Sequence, residues 1–106
     1  MKKMLIVRAD GSNQELTFEK LDFITALGNH KPNDITNSIT LWVRTDKGEE
    51  TYNLVANRIY NEYRGINDDF IYGDVIFTGK ATLSEIAGLD DDAENLILSY
   101  QNKENN

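Results

Sequence analysis

A chain of 106 residues with 18 acidic and 11 basic side chains has a formal charge of −7, and it contains no cysteine. Disulfide frameworks, thiolate nucleophiles and cysteine-based zinc or iron–sulfur sites are therefore excluded, which suits a cytoplasmic protein. A domain of this size buries roughly two-thirds of the surface its unfolded chain exposes, enough for a core without staples. The opening apolar run ends at Arg8 and Asp10, too short for an export signal, and no apolar stretch approaches the roughly 20 residues that cross a bilayer.

Residues 3–9 form an apolar run closed by the turn formers Asp10-Gly11-Ser12-Asn13. Leu16 and Phe18 then alternate with Glu15 and Thr17, which predicts a β-hairpin. From Glu19 the apolar period changes to three, through Leu21, Ile24 and Leu27, and predicts a short helix over 19–27 with Gly28 as its left-handed cap. The segment from Gly28 to Asn37 holds His30 and the only proline, Pro32, follows neither period, and reads as a surface loop.

Ser38 to Thr45 alternates clearly, with Ile39, Leu41 and Val43 on one face, and Asp46-Lys47-Gly48 then allows 49–52 to return as a second hairpin arm. Asn53 is placed to cap a helix over 54–64, striped by Val55, Ile59 and Tyr63 and ended by Gly65. Phe70 to Thr78 is apolar at almost every position and predicts a buried central strand, so the helix before it would make a right-handed β-α-β crossover. Leu83 to Ala87 fits one helical turn. The last helix starts at Asp90 or Asp91, where Asp91 and Glu94 have capping-box spacing, and continues through Leu96, Ile97 and Tyr100. Gln101 to Asn106 has nothing apolar to bury and is expected to fray. The result is one α+β domain over 1–100 with a frayed 101–106 tail: a mixed sheet of about five strands packed against two or three short helices, with Leu41, Val43, Ile59, Val75, Ile76 and Leu96 sharing one interface.

The segments Asn53-Leu54-Val55-Ala56-Asn57 and Ile71-Tyr72-Gly73-Asp74-Val75-Ile76-Phe77-Thr78-Gly79 combine a capped helix with a Gly-containing apolar strand. Over about residues 50–98 this pattern resembles an uncharacterised small domain of unknown function carried by phages, plasmids and their bacterial hosts. The resemblance implies a mobile-element origin and supplies no catalytic residues.

The charge is polarised. Residues 1–67 hold nine acids and nine bases, whereas from Asp68 onward nine acids face only Lys80 and Lys103. Solvated helix starts account for such a run, and so does an electrostatic docking face made of Asp68, Asp69, Asp90, Asp91, Asp92 and Glu94. The acids at 90–94 are adjacent rather than alternate and lack the glycine and twelfth-position Glu of a calcium loop, so no metal or other cofactor is expected. Asp74 inside an apolar strand needs a backbone amide, or an arginine such as Arg58 or Arg64, or else marks a local site. Trp42, Tyr52 and Tyr72 could share one face of the sheet as an aromatic platform, but few bases accompany them, which favours a protein interface over direct nucleic-acid contact.

No nucleophile-elbow, Walker-type or dinucleotide-binding glycine motif occurs, and a single histidine cannot build a multi-His metal site. These features point to a non-enzymatic accessory protein that binds a basic protein surface, with no membrane partner. The alternatives are an acidic mimic of nucleic-acid phosphates that blocks a DNA-binding host protein, and a small hydrolase using His30 with Asp34.

Overall fold

Apolar and β-branched runs pair into one five-stranded sheet in which every neighbouring pair is antiparallel. The computed structural model describes residues 2–19, 30–45, 51–65, 70–82 and 85–104. Its strands are β1 (Lys2–Val7), β2 (Asn13–Phe18), β3 (His30–Thr36), β4 (Ile39–Arg44) and β5 (Val75–Thr78), in the order β2-β1-β5-β4-β3. Among the described residues two helices, α1 (Leu54–Arg64) and α2 (Asp91–Glu104), accompany the sheet in one α+β domain.

The first hairpin forms as its alternation requires, with Lys2 opposite Phe18 and Val7 opposite Asn13. Its turn is closed by Asp10, whose carboxylate accepts from the amide and hydroxyl of Ser12 at 2.8 and 2.7 Å. The second hairpin differs from the sequence expectation. Residues 30–36 are a strand rather than a loop, and they pair with β4 across a turn at Asn37-Ser38. Pro32 is tolerated because β3 is an edge strand, where a missing N–H removes no ladder bond. An extra residue, Ile35, interrupts the register between Asp34 and Thr36 and is buried in the core. Residues 46–50, expected as the turn and half of the return arm, lie outside the described residues, as does 20–29 with nearly all of the expected first helix. Tyr52 makes a single antiparallel bridge to Tyr72 instead of joining a hairpin.

The parallel crossover is also corrected. β4 ends and β5 begins at the same end of the sheet, so α1 returns the chain to the side it left, and the sheet is wholly antiparallel rather than mixed. β5 is the buried central strand, but it is confined to 75–78. Gly73 adopts φ +81°, which breaks the extended run and leaves Phe70 and Tyr72 exposed. The flanks of the expected turn at 83–87 are not helical. Ala81 bridges Ile86, and the Thr82 hydroxyl accepts from the Glu85 amide at 3.1 Å, a local bond that competes with a helical one.

Both helices lie on one face of the sheet. Leu5, Val7, Ile39, Leu41, Val75 and Phe77 meet Val55, Ala56 and Ile59 of α1 and Ala93, Ile97 and Tyr100 of α2 there, with Val43 and Leu96 partly buried at the margin. Ile76 was expected in this layer but points to the opposite face, because successive strand residues alternate sides. It packs there with Met4, Phe18 and Trp42. Tyr63, assigned to the buried stripe of α1, is exposed at its end.

The start of α2 is capped by Asp90, whose carboxylate accepts from the Ala93 amide at 2.7 Å. The Asp91–Glu94 capping box does not form, since Glu94 is engaged with Lys3. α2 continues past residue 100, where a frayed tail is expected, to Glu104. Gln101 is buried, accepts from the Asn13 amide group at 2.6 Å and donates to the Gly11 carbonyl, so an amide side chain anchors the helix where no apolar one is present.

Two asparagines tie α1 to the chain that follows it. Asn53 Oδ1 accepts from the Ala56 amide at 3.1 Å as the helix cap, while its Nδ2 donates to the carbonyls of Val7 (3.1 Å) and Gly73 (2.8 Å). One turn on, Asn57 Nδ2 donates to the carbonyls of Asn53 (2.7 Å) and Ile71 (2.9 Å), and its Oδ1 accepts from the Ile71 amide at 3.0 Å. Both side chains are 1% exposed, so each bond made replaces one that water cannot supply.

This packing predicts that Ile59→Ala destabilises the fold by about 2–5 kcal/mol through lost burial and a cavity. Asn57→Ala strands the buried Ile71 amide and is expected to cost about 1–3 kcal/mol. Glu62→Ala, on the exposed side of α1, should stay within about 0.5 kcal/mol. Urea melts of the three variants check this ranking.

Candidate functional site

The asparagine network fixes a short irregular segment against the helix start, and that segment carries aromatic rings into solvent. The Asn53 amide donates to the Ile71 carbonyl at 3.0 Å and the Gly73 amide to the Thr51 carbonyl at 2.8 Å, so Tyr52 and Tyr72 stand side by side on a backbone bridge. The Tyr52 ring meets Phe70 edge-on, with centroids 5.8 Å apart and planes at 73°. It meets Tyr72 in the same way, at 6.1 Å and 77°. Both geometries are favourable for ring quadrupoles. Tyr52, Phe70 and Tyr72 are nevertheless 39%, 57% and 42% exposed, which makes this the conspicuous apolar feature of the described surface.

The aromatic platform expected from sequence is therefore partly right in membership and wrong in composition. Trp42 lies on the buried face behind the sheet, where its indole N–H donates to the Thr78 hydroxyl at 2.9 Å. Phe70 takes its place in the patch, having been assigned to a buried strand because its neighbours are apolar. The readable signal was Gly73, whose positive φ ends the alternation that would have buried Phe70 and Tyr72.

Asp74 leaves this segment as an exposed carboxylate that accepts from the Ala9 amide at 3.1 Å, the backbone-amide partner open to it from the sequence. It forms no ion pair with Arg58 or Arg64 among the described residues, and both of those side chains are exposed on α1.

The acidic run at 90–94 is largely occupied by the fold. Asp90 caps α2, and Asp91 and Glu94 hold the Lys3 ammonium at 2.9 and 3.0 Å. Glu15 stands 3.9 Å from the same nitrogen. Asp92 is exposed, while Asp68 and Asp69 lie outside the described residues. The hydrogen bond to Asp91, followed by that to Glu94, raises the Lys3 pKa above its ordinary value. Asp91 is lowered by the Lys3 hydrogen bond, and Glu94 by its bonds with Glu15 and then Lys3. Glu15 is raised, first because it hydrogen-bonds Glu94 and then by partial desolvation.

His30 and Asp34 are four residues apart along the extended β3, which separates them by roughly 13 Å at the strand rise. That is well beyond the hydrogen-bond reach an acid–base pair needs. Among the described residues no group of three or more His, Asp or Glu is positioned to hold a metal ion, and no helix is long and apolar enough to cross a membrane. Comparison with protein-family models, with curated proteins and with solved structures returns no match.

The three carboxylates around Lys3 make stability depend on pH in two opposite ways. Asp91 and Glu94, with lowered folded pKa values, contribute stability above the ordinary carboxylate range that is lost as pH falls through those lowered values. Glu15, with a raised value, contributes stability in acid that is lost as pH rises through it. Replacing Glu15 with Gln, which mimics the protonated form, should therefore raise the melting temperature relative to wild type more at pH 7 than at pH 4. Thermal melts at the two pH values check the sign.

Proposed function

We propose that this chain is a non-enzymatic binding module that engages a basic protein through the Tyr52–Phe70–Tyr72 patch, with the chain's excess negative charge drawing the partner in. The observation that carries the reading is the exposure of three mutually packed rings on a segment held by buried hydrogen bonds. Preorganised aromatic side chains lose little entropy on binding and are enriched among the residues that dominate interface energies. Ring faces also receive Lys and Arg side chains, which suits a chain of net charge −7. Asp74 and Asp92 add exposed negative charge that would steer a basic partner.

The mobile-element setting rests on the resemblance over residues 50–98 alone. The nucleic-acid-mimic reading is less well supported, because it needs free carboxylates spread along one face, and Asp90, Asp91 and Glu94 already serve the fold.

The test is a pull-down from a lysate of the source organism with wild-type bait and with a folded variant carrying Tyr52→Ser, Phe70→Ser and Tyr72→Ser. Proteins retained by the wild type and lost from the variant, with binding that weakens as salt rises, are the expected result. An identical set of captured proteins on both baits would remove the patch from the account.

A further inference from the structure

We propose that a cleft remote from the aromatic patch binds a small phosphate-bearing molecule. It opens between the β3–β4 turn, the C-terminal end of α1 and the loop after β5, encloses about 530 Å³, and is lined by Asp34, Ile35, Thr36, Asn37, Arg64 and Lys80. That volume lies in the range of about 300–1,000 Å³ common for small-molecule sites.

The distribution of positive charge singles out this cleft. In a chain of net charge −7, the bases near the first hairpin are used internally. Lys2 meets Glu85 at 3.4 Å and the Ile86 carbonyl at 2.7 Å, Lys3 meets Asp91 and Glu94, and Arg8 donates to the Gln14 side chain at 2.5 Å. A groove of about 470 Å³ beside Lys2 and Lys3 therefore has no spare cation to offer. Arg64 and Lys80 differ. They come from separate elements to one cleft, and neither makes an ion pair among the described residues.

Neutral donors stand beside them. The Thr36 hydroxyl accepts from the Ser38 amide at 3.1 Å, which leaves its proton to donate outward, and the Asn37 side chain is exposed next to it. A planar guanidinium that binds two oxygens at once, together with a point-charge ammonium and a hydroxyl, matches a tetrahedral dianion better than a single carboxylate. Asp34 is the one acid in the lining. Its charge opposes an anion, which gives the proposal a signature with the reverse sign.

The experiment is a titration of the isotopically labelled full chain with inorganic phosphate at constant ionic strength, following the backbone amides of Thr36, Asn37 and Lys80 by NMR. Saturable shifts centred on those amides are expected, with a dissociation constant weakened about fivefold by Arg64→Gln and by Lys80→Gln, and tightened by Asp34→Asn. Acetate should saturate only at higher concentration than phosphate. Shifts that rise linearly without saturation, that centre elsewhere, that ignore both cation substitutions, or that are matched by acetate would each overturn the proposal.

Discussion

Two buried amide side chains, Asn53 and Asn57, hold the architecture together at its least regular point. Between them they use the helix cap, the carbonyls of Val7, Gly73 and Ile71, and both polar backbone groups of Ile71. A sheet and a helix can each satisfy their own backbone, but the irregular segment from Ile71 to Gly73 just before β5 cannot, and its buried polar groups need partners from elsewhere. Asn57 takes both polar backbone groups of Ile71 and Asn53 takes the Gly73 carbonyl, so these groups stay paired where the chain turns sharply at Gly73. The aromatic rings at 52, 70 and 72 are thereby presented from a backbone with little freedom to rearrange.

Much of the fold was legible because it depends on local pattern. The alternation at 38–45, the cap at Asn53 and the extent of α1 from 54 to 64 appear in the structure at the positions their residues imply. The errors have a common physical origin in context that lies outside a short window. Pro32 looks like a strand breaker unless it is known that β3 is an edge. Asn57 reads as a polar position on a helix, because its partner Ile71 is 14 residues further along. Gln101 looks like solvent-facing tail, because the hairpin turn it binds is about 90 residues earlier. Ile76 sits in an unbroken apolar run that gives no clue to which side of the sheet it faces.

The candidate site was less legible than the fold. Tyr52 and Tyr72 were grouped correctly by residue type, but their exposure follows from Gly73 and from the bridge between them, and neither is visible as periodicity. The acidic run was visible, yet its apportionment was not. A charge count cannot show that Lys3 at the start of the chain gathers Asp91 and Glu94, or that Asp90 is spent as a cap. Arg64 and Lys80 line one cleft only through the tertiary arrangement of α1 and the loop after β5, so no spacing rule would have joined them.

The claim that the asparagine network makes the aromatic segment rigid is tested most directly by amide hydrogen exchange at Ile71 and Gly73. Each amide is bonded within the network or its bridge, at 3.0 Å to Asn57 Oδ1 and at 2.8 Å to the Thr51 carbonyl. If the network holds the segment, both amides exchange slowly, and Ile71 approaches the protection of the central strand, opening only when the domain unfolds. Exchange at Ile71 as fast as that of an exposed loop amide would show that the segment opens on its own, and the rings would then have no fixed platform.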